Sequence, residues 1–217
     1  MKAFLLKNKS LYVNLMLSIG FALTLLLFRA KITHTYFYFF LVWNLFLAGI
    51  PYVISQTVKH SQYLRNSKVL SGLAFTIWLL FLPNSPYIIT DLVHLHNQAS
   101  NLVWFDLFLV FVFALNGLVL GLLSLLDMSK IISARFDKTV AAYTIFKVCL
   151  LSGFGIYLGR FLRFNSWDVL TKPKSVFFET LYTLREPKAW LITFAFGGFL
   201  WILFLVLQSV MQVKSTK

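Results

Sequence analysis

Six long apolar runs decide what this chain can become. A helix needs about 20 apolar residues to cross the hydrocarbon core of a bilayer. Six segments approach or exceed that length: Leu11 to Phe28, Tyr36 to Ile54, Val69 to Ile89, Leu102 to Leu126, Val140 to Gly159 and Trp190 to Met211. In lipid, backbone amides and carbonyls must be satisfied without water, and within one segment only a helix does this. The expected fold is all-α, a bundle of six transmembrane helices, with residues 1–217 forming a single polytopic membrane domain. Composition agrees, with 59% hydrophobic and 12% charged residues, where a soluble domain is roughly half apolar and a quarter charged. Pro83 and Pro86 interrupt the third run. Each lacks a backbone donor and biases its predecessor away from helix. The third helix is therefore expected to be kinked or broken, with Ser85 as a cap and a restart at Pro86.

The opening MKAFLLKNKS leads into the first run without a small-residue cleavage site, so that run is read as a retained span. The net charge is +13, with the basic residues flanking apolar runs. That is the pattern of topology control and contact with anionic lipid headgroups, and the lipid bilayer is the expected partner. Nucleic acid is excluded, since no basic face interleaved with polar residues exists to track phosphates. Eleven Lys and Arg flank the spans on the side of the termini and eight on the other. The positive-inside rule then predicts a multi-pass protein of the cell membrane with both termini cytoplasmic. Cys149 sits alone in an apolar run, where a thiol is inert.

Against this background the polar residues gather in two motifs, and ionisable groups at the end of a span are functional candidates by default. The first is LPNSPYIITDLVHLH, Leu82 to His96. If a helix restarts at Pro86, Tyr87, Asp91 and His94 fall at i, i+4 and i+7, on one face. A carboxylate three residues from a histidine can orient the ring and raise its basicity, so Asp91 and His94 are the candidate catalytic acid–base pair. Asn84 and Tyr87, counted with the binding residues, would orient the pair. The competing reading is structural: Asp91 caps a helix or pairs with an arginine, and His94 sits among headgroups. No metal or other cofactor is expected, because Asp91, His94 and His96 supply only two histidines.

The second motif is YLGRFLRFNSWD, Tyr157 to Asp168. Arg160 and Arg163 are three apart and share a face if the helix continues. Two guanidiniums so placed make a site for phosphate or carboxylate. Asn165, Trp167 and Asp168 complete the candidate binding set. Asp168 either pairs with an arginine or caps a short helix, and the alternative for both arginines is snorkelling to the interface. Elsewhere, Asp106 either joins a carboxylate cluster or pairs with Arg160. Lys147 is expected to snorkel. Asn14 and Asn44 are expected to bond between helices, Asn116 with Gly117 and Gly121 to mark close packing, and Val176 to Leu184 to lie amphipathically on the outer surface.

FLPNSPYIITDLVHL and LGRFLRFNSWD resemble the signatures of the bacterial integral membrane family called domain of unknown function 1361, and the likeness covers nearly the whole chain. The matching positions are Pro83, Asn84, Pro86, Tyr87 and Asp91, then Gly159, Arg160, Arg163, Asn165, Trp167 and Asp168; Phe164 departs from an expected Trp. The resemblance implies a polytopic bacterial membrane protein and brings no activity with it. The expected function is an outward-facing polar site acting on an anionic lipid or envelope precursor; the alternative is a non-enzymatic partner subunit or a small permease.

Overall fold

The structure, a computed structural model, describes residues 9–97 and 102–215, and only the backbone of His94, His96, Asn97, Val213, Lys214 and Ser215. Every element among the described residues is helical. In chain order they are α1 (Lys9–Thr33), a 3-10 turn (Phe37–Phe39), α2 (Phe40–His60), α3 (Gln62–Asn66), α4 (Lys68–Phe81), α5 (Asn84–Tyr87), a 3-10 segment (Ile88–Asn97), α6 (Val103–Arg135), α7 (Lys138–Phe161), α8 (Asp168–Thr171), α9 (Pro173–Thr183) and α10 (Pro187–Ser215). Among the described residues six stretches are long and apolar enough to cross a membrane: Lys9–Thr33, Phe37–His60, Lys68–Val93, Val103–Arg135, Lys138–Phe161 and Pro187–Gln212. The chain is an all-α, multi-pass membrane protein. Six crossings place α1's start and α10's finish at the same end, the terminal end; the Asp91 segment, α8 and α9 lie at the distal end.

The central helix is α6. Of its most apolar window 72% is buried, against 11% for α1. Two apolar clusters share it. One joins Ala22 and Leu26 of α1, Leu41, Leu45 and Ala48 of α2, and Ile88 to Leu109 and Phe113 of α6. The other joins Trp78 of α4, Ile145 and Cys149 of α7, and Leu200 and Phe204 of α10 to Leu122 and Leu125. Lipid tails are as apolar as these side chains, so helix association relies on close packing and on polar contacts between helices. Trp78 supplies one such contact, donating from Nε1 to Ser124 Oγ at 2.5 Å.

Turn chemistry organises the terminal end. The hydroxyls of Ser61 and Ser67 accept the Leu64 and Leu70 amides and cap α3 and α4, and the Asp137 carboxylate accepts the Val140 amide at 2.7 Å to cap α7. Such caps satisfy amides that a helix start leaves without partners. Ser85 does not cap. It lies within α5, and its hydroxyl donates to the Ala48 carbonyl of α2 at 3.0 Å. Asn14 is exposed on α1 and, among the described residues, forms no bond between helices, contrary to expectation, whereas Lys147 is exposed on α7, where a snorkelling lysine belongs.

Candidate functional site

The first motif is buried between α2, α6 and α7 because those helices leave room for it. A Cβ added at Gly121 of α6 would fall 2.6 Å from the Ser85 Cβ, and one added at Gly155 of α7 would fall 2.6 Å from Pro83 Cγ. Any larger residue at either glycine would push the Pro83–Pro86 turn away from its helix. The turn is tied laterally as well. Asn84 Nδ2 donates to the Phe81 carbonyl at 2.8 Å and to Ser166 Oγ at 2.9 Å, and Ser166 Oγ donates to the Leu80 carbonyl at 2.8 Å. The two motifs therefore touch, through residues more than 80 positions apart.

Beyond Tyr87 the winding changes. Ile88–Asn97 is a 3-10 helix, with three residues per turn instead of 3.6. The expected α-helical stripe of Tyr87, Asp91 and His94 does not form. Tyr87 lines a cavity of about 710 Å³, while Asp91 is only 1% exposed and is not among the residues lining it. The His94 side chain, and with it the Asp91–His94 pair, lies outside the described residues. Among the described residues no three His, Cys, Asp or Glu converge.

The Asp91 carboxylate meets the second motif directly. Its Oδ1 accepts from Arg160 Nη1 at 3.2 Å, and its Oδ2 accepts from Asn44 Nδ2 of α2 at 2.8 Å. Three spans converge on one carboxylate, and Asn44 is the interhelical bonder its position in an apolar run suggested. A buried carboxylate needs such partners, because removing a charge from water costs several kcal/mol. Arg160 stands at the edge of this contact. It lines the cavity together with Arg163, Asn84, Tyr87 and Asn165, and the same lining includes Trp43, Leu79, Leu151 and Phe154. The cavity therefore offers cationic and amide groups together with apolar and aromatic ones.

Arg163 is placed by the end of α7. The Phe164 amide reaches back to the Leu158 carbonyl at 3.2 Å, and Arg163 itself has φ of 58°. This is the left-handed position after a helix that usually belongs to glycine. A non-glycine residue there costs roughly 1–2 kcal/mol. Arg163 is exposed and, among the described residues, has no ion pair or hydrogen bond.

Asp168 does not pair with an arginine. Its Oδ2 accepts the Asn165 amide at 2.7 Å and Nδ2 at 3.4 Å, and its Oδ1 accepts from Thr171 Oγ1 at 3.1 Å. The Asn165 amide, chiefly, holds this carboxyl below the usual carboxylate range. Asp168 and Asn165 thus fold the loop that carries Ser166 and Trp167, whose ring meets Trp43 edge-on at 6.3 Å. Ser166, the link between the motifs, stood unremarked among the motif's polar residues, and nothing in local spacing marks it.

Asp106 pairs with Arg29, a partner its place in the sequence did not suggest. Arg29 Nε donates to its Oδ1 at 3.0 Å and Nη2 to its Oδ2 at 3.2 Å, the Tyr38 hydroxyl donates to Oδ2 at 3.3 Å, and the guanidinium stacks 4.7 Å from the Tyr38 ring centre. Arg29 also donates to Thr33 and Thr35. This second pair is sealed, with side chains 3% and 1% exposed.

Residues 43–203 match the profile of a family described as "Protein of unknown function (DUF1361)". The chain belongs to that family. No curated protein and no solved structure matches it. The DUF1361 match takes in both motifs, Asn44 and every candidate site residue, and leaves out α1 with Arg29.

Proposed function

We propose that the distal cavity binds the anionic headgroup of a lipid or lipid-linked envelope precursor, in a bacterial cell membrane with the termini cytoplasmic and the cavity facing outward. One observation carries this reading: Arg160, held from behind by the buried Asp91, lines a 710 Å³ cavity that it shares with Arg163. A fixed guanidinium presents its donors without first losing the freedom of a long side chain, which suits recognition of phosphate or carboxylate. The apolar part of the lining, Trp43, Leu79, Leu151 and Phe154, suits the start of an apolar tail. Exposed Phe177, Phe178 and Tyr182 on α9 would rest among headgroups beside the cavity's mouth. The orientation rests on the larger number of basic residues at the terminal end.

Asp91 serves here as a positioning residue. It stands behind Arg160 rather than on the cavity wall, which favours binding and orientation of the ligand over acid–base attack by this carboxylate. A permease reading has less support, since Lys147, the charge nearest mid-span, is exposed on α7 rather than turned into the bundle.

The test uses the purified chain in detergent with a long-chain phosphomonoester as probe, read by the fluorescence of Trp43 and Trp167. Saturable binding is expected, weakened at least roughly tenfold by Arg160→Gln and less by Asp91→Asn, which releases the guanidinium without removing it. Equal affinity of the wild type and a folded Arg160→Gln variant would sink the reading.

A further inference from the structure

The terminal end holds a second cavity, of about 1190 Å³, between α6, α7 and α10. Its lining follows one gradient on all three helices. On α6 it passes from Leu126 to Ser129, Lys130 and Ser133; on α10 from Trp201 and Phe204 to Gln208 and Gln212. On α7, which runs the other way, Lys138 and Thr139 come first and Tyr143 and Phe146 follow. The sequence order reverses and the spatial order does not. Each helix sets its ammonium, hydroxyl or amide groups at the end of the bundle and its aromatic and aliphatic groups toward the middle. At 1.5 Å per residue, Lys138 to Phe146 covers about 12 Å and Trp201 to Gln212 about 16 Å. The slot is therefore about as deep as one leaflet's share of a 30 Å hydrocarbon core.

Charge is unbalanced at its mouth. Lys130 and Lys138 are exposed and, among the described residues, in no ion pair. The nearby carboxylates are engaged elsewhere: Asp127 accepts from Lys59 Nζ and from Gln56 Nε2, each at 2.5 Å, and Asp137 caps α7. Beyond the apolar end α7 and α10 come into backbone contact, where a Cβ on Gly153 would lie 2.4 Å from the Thr193 carbonyl.

We propose that this slot holds one anionic phospholipid of the leaflet on the side of the termini, its phosphate between Lys130 and Lys138 and an acyl chain against Phe146, Trp201 and Phe204. A second copy of the chain is the poorer occupant, since a twofold contact through this face would bring both copies' lysines together. The assignment does not depend on the distal site.

Native mass spectrometry of the full chain in mild detergent tests it, with phosphatidylglycerol and phosphatidylcholine as competing probes. The wild type is expected to retain one phosphatidylglycerol in preference to phosphatidylcholine. In the Lys130→Gln/Lys138→Gln double variant that preference falls about 30-fold, and Lys130→Arg/Lys138→Arg keeps it. Ala142→Trp fills the slot at an exposed position and leaves both lysines in place; it is expected to lose the bound lipid. Retention by Ala142→Trp would mean that the lysines attract headgroups at an open surface, and would overturn the assignment. So would an unchanged preference in the double glutamine variant, or a dimer cross-linked through the thiol of an Ala142→Cys variant.

Discussion

Two arginine–aspartate pairs stand at the distal end, and they differ in what lies around them. Arg29–Asp106 is closed on every side, with a tyrosine ring and two threonines around the guanidinium and the tyrosine hydroxyl on the carboxylate. In Arg160–Asp91 the carboxylate is 2% exposed but the guanidinium 19%, and the arginine borders a cavity. The first pair joins α1 and the turn after it to α6 and has no room for a ligand. The second joins α2, the 3-10 segment and α7, and its arginine lines a cavity. Burial of the carboxylate is nearly equal in the two, so burial of charge alone does not mark function here. Access to the arginine distinguishes them.

The largest effect that would sharpen this contrast is in stability. Asp106→Ala strands Arg29 in a closed pocket and is expected to cost about 3–5 kcal/mol, a fall in Tm of roughly 10 °C in detergent. Binding of the phosphomonoester probe should survive in whatever fraction remains folded. An Asp106→Ala variant that loses binding while keeping its Tm would break the contrast outright. Next comes Arg163→Gly, which separates stability from binding by sign. Glycine suits φ of 58°, so the variant should gain about 1 kcal/mol while probe affinity falls roughly 10- to 100-fold. Calorimetry and a binding titration on one preparation read both, and loss of stability would mean that Arg163 is a structural residue.

A smaller effect, about 1–3 kcal/mol, is expected from Gly155→Ala, which drives the new methyl against Pro83. It should lower Tm and also disturb probe binding, because it shifts the turn that carries Asn84. A matched change beside the sealed pair, Phe28→Leu, sits on an exposed side chain and should move neither quantity. The smallest effect is that of acid on the loop after α7. Asp168 has its carboxyl lowered by the Asn165 amide; a depressed folded value contributes stability that is fully present above about pH 4 and lost as pH falls through the lower folded value. Trp167 emission should therefore change below about pH 4 in the wild type. Asp168→Asn should already emit at neutral pH like the acidified protein, with no further change on acidification.

The fold was legible because bilayer thickness sets run length, and all six apolar runs became spans. The prominence of the two motifs was legible because polar groups are scarce enough for each to stand out. Pairing was not. Arg29 and Asp106 are 77 residues apart, and nothing local says that α1 packs on the start of α6. Asp91 was set on an α-helical stripe, and that periodicity failed because the segment winds with three residues per turn. Ser166 was invisible for a different reason: its role depends on the carbonyl of Leu80, a backbone group with no signature in any sequence. The left-handed backbone at Arg163 was equally hidden, since arginine is not a residue that announces it.

The ten-residue 3-10 segment Ile88–Asn97 is also a store of length. Wound as it is, at about 2.0 Å per residue, it reaches about 20 Å; rewound as an α-helix it would reach about 15 Å. The difference, near 5 Å, is obtained by tightening one set of hydrogen bonds into another with no residue unfolded. Each step would also turn about 100° instead of about 120°. Counted from Tyr87, Asp91 would swing through roughly 80° about the segment's axis. A change of pitch in this segment would therefore move the Asp91 carboxylate relative to both Arg160 and Asn44.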